Sequence, residues 1–248
     1  NVPNTTVYIN GQLTSLSAAT ADNTLYVKAG AKIGSLEIIK GNVVIENGGV
    51  VTNISRSQDN TDDETVVYYE SDVTAPTTSD AKIKCVPVVI VSTAAEFKTA
   101  MEGANKVVRI KLANDITVNS IATVNATSNI TLDMNGYDLS YTVSTASASE
   151  IIKNFGTLKI VSASEATFSY KAENPDTQAI PSYATNTITN SGNGHLTVCE
   201  NVVVTNGSNG GASYAVDVQS GTFILDGAIL KGNRCALRVA RFNADTKF

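Results

Sequence analysis

Tryptophan is absent from this chain of 248 residues, methionine occurs twice, histidine once, and aromatic residues make up only 6% of it. With His195 as the single imidazole, no Ser–His–Asp or Cys–His grouping can be built convincingly, and His195 itself reads as an exposed turn residue. Charge is also sparse: Asp, Glu, Lys and Arg are 17% of the chain, the net charge is −5, and no basic cluster exists. Nucleic acid is thereby excluded as a partner, because its recognition needs a concentrated cationic footprint. No stretch approaches the ~20 apolar residues that a membrane span requires. Residues 1–20 lack the charged start and apolar block of a signal peptide, so the chain reads as mature or trimmed, its signal already removed. Cysteine is scarce too. Cys85, Cys199 and Cys235 are odd in number and have no metal-ligand spacing, so they read as small buried hydrophobes, with at least one free thiol.

What the chain does have is Asn, Thr, Ser and Gly, the residues of short strands and tight turns. Its second half repeats a phrase: a small or polar residue, alternating apolar residues, then Asn, Gly or Asp. The phrase occurs as Asn129-Ile130-Thr131-Leu132-Asp133, Thr157-Leu158-Lys159-Ile160, His195-Leu196-Thr197-Val198 and Thr222-Phe223-Ile224-Leu225-Asp226. Ile130, Leu158, Leu196 and Phe223 are then equivalent, at steps of 28, 38 and 27 residues. A recurring period of this size in alternating sequence marks a β-solenoid. Each repeat offers three apolar pieces, as in Leu196-Thr197-Val198, Val202-Val203-Val204 and Tyr214-Ala215-Val216. Three short strands per turn, stacked coil on coil with apolar residues inward, make a parallel β-helix. The longer step contains Glu173-Asn174-Pro175-Asp176 and Ile180-Pro181-Ser182-Tyr183, which reads as a loop extruded from one coil.

The repeats do not run from the first residue. Gln58 to Glu64 reads as an acidic, solvated loop without the positional order of a calcium loop, and Thr74-Ala75-Pro76-Thr77-Thr78-Ser79 reads as a linker. Residues 1–78 are therefore expected to form a small all-β unit, solenoid-like or not, with very short strands such as Leu25-Tyr26-Val27 and Val43-Val44-Ile45 between glycines. Residues 79–248 are expected to form the β-helix. Val86 to Val91 reads as an edge strand carrying Pro87. Thr93-Ala94-Ala95-Glu96 is a capping box opening a helix over about 93–104, with Phe97, Ala100, Met101 and Ala104 on one face and Gly103 or Asn105 at its end. That helix is expected to cover the open end of the solenoid.

The segment from Phe97 to Leu139 resembles the opening of many secreted bacterial right-handed β-helix proteins of the pectate-lyase-like superfamily. The likeness lies in Ile110-Lys111-Leu112-Ala113-Asn114-Asp115-Ile116 followed by Ile130-Thr131-Leu132-Asp133-Met134-Asn135-Gly136-Tyr137-Asp138-Leu139. Ile188-Thr189-Asn190-Ser191-Gly192 and Gln219-Ser220-Gly221-Thr222-Phe223 are similar to repeats of large surface proteins of that shape. The resemblance covers roughly residues 90–240. It implies the right-handed fold and a secreted or cell-surface setting, but no single activity, because the shape hosts lyases, hydrolases and non-enzymatic adhesins.

Members that cleave acidic polysaccharide use clustered carboxylates, often with calcium, beside an Arg or Lys. Asp133, Asp138, Asp217 and Asp226 are the candidates here, with Lys231, Arg234 and Arg238. Asp133 and Asp226 are equivalent but three coils apart, about 14 Å, and so do not share an ion; both read as turn caps. Asp217 and Arg238 would stack one coil apart on the outward face, as a catalytic pair or a surface salt bridge. Binding without catalysis would use tyrosines, and Tyr170 and Tyr183, flanking the extruded loop, are the candidate stacking surface. The reading that follows is a non-catalytic stalk or adhesin-like module for glycan or surface protein, without metal or cofactor. A polysaccharide lyase or glycoside hydrolase is the alternative, and calcium belongs only to it. Because the chain ends soon after a strand, at Arg241 to Asp245, further solenoid sequence or an oligomeric contact is expected at that edge.

Overall fold

The computed structural model describes residues 7–61, 64–103, 107–143, 150–172, 185–208 and 213–240. Chain contacts divide it into two compact units, Asn1–Val88 and Val89–Phe248. Both are built from parallel strands, so the chain is an all-β, parallel, solenoid-like protein with one helix among the described residues.

The first unit is one sheet of β1 (Val7–Ile9), β2 (Gln12–Val27), β3 (Lys32–Ile45), β4 (Val50–Arg56), β5 (Thr65–Tyr69) and β6 (Ile83–Pro87). Every pairing is parallel. β2 and β3 are far longer than the short strands expected from the sequence. Their register shifts between Ala18 and Thr24, where Ala19 pairs with Lys40 and next Thr24 with Asn42, and Gly41 in β3 has φ +93°, so the ladder is interrupted there and resumes within the same two strands. The first half of β3 pairs with β4 and the second half with β5. An apolar column, Val7–Leu25–Val43–Val67–Cys85, runs through the strands at one register position. The turns stack as well: Gly30 and Gly48 both have φ near +80°, and the Gly30 N–H donates to the Gly48 carbonyl at 2.9 Å.

The expected linker is part of this unit. Thr77 bridges to Asn53 beside β4, and β6 pairs with β5 along its length. The division therefore falls after Val88 rather than near residue 78, and the strand read as Val86–Val91 is two, one in each unit. Pro87 ends β6, at the edge of the sheet, where its missing N–H costs no ladder bond. Of the acidic loop, Asp62 and Asp63 lie outside the described residues. Glu64 is ion-paired with Lys84.

The second unit begins with β7 (Val89–Val91) and α1 (Ala94–Glu102). Thr93 is the N-cap: its hydroxyl accepts from the Glu96 N–H at 3.2 Å, and the Glu96 carboxylate accepts from the Ser92 and Thr93 N–H groups. Gly103 is the C-cap, and Phe97, Ala100 and Met101 are buried. Ala104 and Asn105, read into the helix and its end, lie outside the described residues. Strands then follow in trios: β8 (Val107–Leu112), β9 (Ile116–Val118), β10 (Ala122–Val124); β11 (Asn129–Asp133), β12 (Leu139–Val143), β13 (Ile152–Asn154); β14 (Thr157–Val161), β15 (Ala166–Ala172), β16 (Thr185–Asn190); β17 (His195–Cys199), β18 (Val202–Asn206), β19 (Ser213–Val218); β20 (Thr222–Asp226), β21 (Ile229–Gly232), β22 (Cys235–Val239). The members of each trio join three different parallel sheets, ordered β7-β8-β11-β14-β17-β20, β9-β12-β15-β18-β21 and β10-β13-β16-β19-β22.

The register places Ile130, Leu158, Leu196 and Phe223 side by side, as the repeated phrase required. Parallel sheets of this kind face a shared interior, and the core consists of such columns, with Ile116–Leu139–Phe168–Val204–Leu230 and Ala122–Ile152–Ile188–Val216–Leu237 among them. α1 packs on β7, β9 and β10, at the first end of all three sheets. Lys98 Nζ donates to the Ile121 carbonyl at 2.6 Å, and Asn125 donates to the carbonyl of Glu102 at 3.1 Å, satisfying one of the helix's last acceptors. At the other end Leu225 and Leu237, although they continue interior columns, are 46% and 36% exposed.

Candidate functional site

Asp217 on β19 and Arg238 on β22 are register partners on adjacent strands. The carboxylate is fully buried, whereas the Arg238 side chain is 34% exposed. Arg238 meets it through two atoms, Nε to Oδ1 at 2.6 Å and Nη2 to Oδ2 at 2.5 Å. Oδ2 also accepts from Asn186 Nδ2 and from Gln219 Nε2, each at 3.0 Å. The guanidinium lies 4.8 Å from the centre of the Tyr214 ring, and its pKa is raised, first by the hydrogen bond to Asp217. A carboxylate that faces four donor atoms has its lone pairs occupied, which suits a structural clamp and leaves it poorly placed to accept a substrate proton. Asn186 also donates to the Thr189 hydroxyl at 3.0 Å, while its own Oδ1 is buried without a partner.

The other carboxylates are also engaged. Asp133 Oδ1 accepts from the Asn135 N–H at 3.0 Å, a turn in which Asn135 and Gly136 both have positive φ. Its Oδ2 pairs with Arg109 Nη2 at 2.6 Å, both side chains being buried. The sequence reading missed Arg109: Asp133 is in register with Lys111, and Arg109 reaches it on the diagonal from Thr131's partner position. Asp138 Oδ1 accepts from the Thr167 N–H at 2.7 Å, and Asp115 Oδ1 from the Asp138 N–H at 2.8 Å, so turn carboxylates bond from coil to coil. Asp226 is in register with Cys199, which separates it from the column position of Val161 and Asp133. Among the described residues no three His, Cys, Asp or Glu side chains gather as a metal site. Lys231 and Arg234 are exposed on the last coil.

All three cysteines are free, but they are not alike, which corrects the uniform expectation of buried thiols. Cys199 is buried, Cys85 half-buried and Cys235 exposed, the last because β22 is an edge strand. Burial pushes the Cys199 thiol up to about 11, and raises Cys85 as well. His195 is exposed at the start of β17, in register with Thr157 and Thr222.

Tyr170 is 3% exposed and stacks on Tyr141 with ring centres 5.5 Å apart. It forms one wall of an open depression of about 450 Å³, with Thr205, Asn206, Lys231 and Asn233 among the other walls. Tyr183 and the loop read as extruded lie outside the described residues. A different tyrosine pair, overlooked in the sequence, sits in the first unit. Tyr8 on β1 and Tyr26 on β2 are register partners with ring centres 5.4 Å apart, and Lys28 Nζ lies 5.2 Å from one centre and 5.9 Å from the other. Lys28 also pairs with Glu46 at 2.6 Å. The signal was present: Tyr8 and Tyr26 stand at the same step as their flanking apolar residues, Val7 with Leu25 and Ile9 with Val27.

No helix among the described residues is long and apolar enough to cross a membrane. No family model, no curated protein and no solved structure matches this chain, so the likeness to secreted β-helix proteins rests on the quoted sequence phrases alone.

Proposed function

We propose that this chain is a non-catalytic binding or spacer module of the secreted or cell-surface kind, its second unit a right-handed parallel β-helix with three short strands per coil. A general rule supports the right-handed reading: β8 and its parallel neighbour β11 are joined through β9 and β10, and crossovers between parallel strands of one sheet are right-handed in nearly all proteins. The module acts as an adhesin-like surface or stalk that engages glycan or protein.

The observation that carries this reading is the state of Asp217. The best acid–base pair in the sequence is a buried carboxylate bonded by Arg238, Asn186 and Gln219, which is how a strand is fastened rather than how a proton is moved. The test is incubation with a panel of neutral and acidic glycans, with and without calcium, following chain length and unsaturated ends alongside retention on the immobilised glycans. Retention without shortening is the expected result. Shortened chains or new unsaturated ends, lost in Asp217→Asn, would replace this reading with a polysaccharide lyase or hydrolase.

A further inference from the structure

We infer that the first unit carries a glycan-binding platform made by Tyr8, Tyr26, Lys28 and Glu46, selective for neutral pyranose chains. The inference rests on the binding-module reading above and gives it a site and a ligand class. Tyr8 is 46% exposed and is the one aromatic residue among the exposed large apolar side chains described. Tyr26 and Lys28, which support it, both come from the segment that follows it in the ladder, and β1 is the edge strand of its sheet. Among the described residues β1 pairs on one side only, with β2.

The chemistry of such a surface is specific. A π face is negative, and the axial C–H groups of a pyranose are weakly positive, so a sugar ring packs flat on tyrosine while its equatorial hydroxyls reach outward. The ring of Tyr8 is already held by Tyr26 and Lys28, so little side-chain freedom is lost when a sugar lands on it. Beside the rings, Lys28 and Glu46 are each partly exposed, at 33% and 19%, and offer a donor and an acceptor for hydroxyl groups. Their charges cancel, and the whole chain carries −5, so nothing at this platform favours a polyanion. A neutral chain of gluco-configured rings, axial hydrogens on both faces, is the complementary ligand.

The experiment is calorimetric titration of the full chain with cellohexaose, and with hexagalacturonate as the anionic comparison. Measurable binding of cellohexaose, at least tenfold weaker in Tyr8→Ala and within threefold of the parent in Tyr8→Phe, is the expected pattern, because the ring and not the hydroxyl is the contact. Glu46→Gln should weaken binding less than Tyr8→Ala. Thermal unfolding of each variant within about 2 °C of the parent shows that folding is unchanged; Tyr8→Leu, apolar but without a ring, serves in place of Tyr8→Ala should the latter melt early. Cellohexaose binding that Tyr8→Ala leaves intact overturns this site while the glycan-binding reading stands. Binding of hexagalacturonate in preference to cellohexaose overturns the ligand class. Binding of neither, in a protein that also ignores the wider glycan panel, overturns both the platform and the glycan side of the proposed function.

Discussion

Replacing Asp217 with asparagine alters no shape and removes one charge, so it isolates the electrostatic part of the clamp between β19 and β22. In the parent, Oδ1 faces Arg238 Nε, while Oδ2 faces Arg238 Nη2, Asn186 and Gln219. An asparagine must turn its NH₂ toward one of these sets, and the better choice sets it against the Nε–H of Arg238, donor to donor. Hydrogen bonds to charged groups are each worth about 1.5–3 kcal/mol net, and breaking a buried ion pair by removing one partner costs about 3–5 kcal/mol. Arg238 is 34% exposed and regains water when released, which lowers the expected loss to about 2–3 kcal/mol. For a unit of this size each kcal/mol is about 2–4 °C, so Asp217→Asn should melt about 4–12 °C below the parent by calorimetry. Asp217→Ala should fall further, because the buried Asn186 amide then also loses one of its two acceptors and keeps only the Thr189 hydroxyl. A variant that melts within 1 °C of the parent would refute the clamp. If it also lost a glycan-cleaving activity, Asp217 would be a catalytic residue after all.

Other perturbations read other parts of the fold. Asn190 is fully buried, donates to the carbonyls of Gly194, Ser220 and Thr222 and accepts from Asn154, so Asn190→Ala should cost about 3 kcal/mol in urea unfolding. Asn154→Ala should cost less, since Asn154 Oδ1 is already buried without a partner. Gly221 has φ +83°, and a Cβ there would overlap the Gly194 carbonyl, so Gly221→Ala should lose about 2 kcal/mol or more. A thiol reagent at pH 8 should label Cys235 first and Cys199 only on unfolding, because thiolate is the reactive form and the Cys199 pKa is about 11. The same shift makes the folded state prefer the protonated thiol: that contribution is whole below pH 9, the unperturbed value, and is lost as pH rises through about 11. Thr93→Ala should cost about 1 kcal/mol through loss of the helix cap, read by the melting of α1 in hydrogen exchange.

The repeated phrase was legible because alternation and register are one property in a parallel stack: a residue that points inward in one coil sits on its equivalent in the next. The capping box was legible for a similar reason, its bonds lying within four residues. The bonds of the candidate sites are not local. Asp217 looked outward and exposed by parity, yet Asn186, a coil before it, and Arg238, a coil after it, close over its carboxylate. Arg109 reaches Asp133 on a diagonal that pairing by equivalent position passes over. In the first unit, glycines marked where the chain bends, and bends were read as strand ends. A parallel ladder can break at such a point and resume between the same two strands, so β2 and β3 continue where short strands were expected.

The columns of the second unit hold across unequal intervals. Leu158 and Leu196 sit side by side as Ile130 and Leu158 do, although the chain between the former pair is 38 residues long and between the latter 28. The interior therefore records which residues meet but not how much chain lies between meetings. Insertions at the turns between strands are thus nearly invisible to the core, and a lineage of such proteins can explore new outer loops by gain and loss of sequence while the stack beneath them is inherited unchanged.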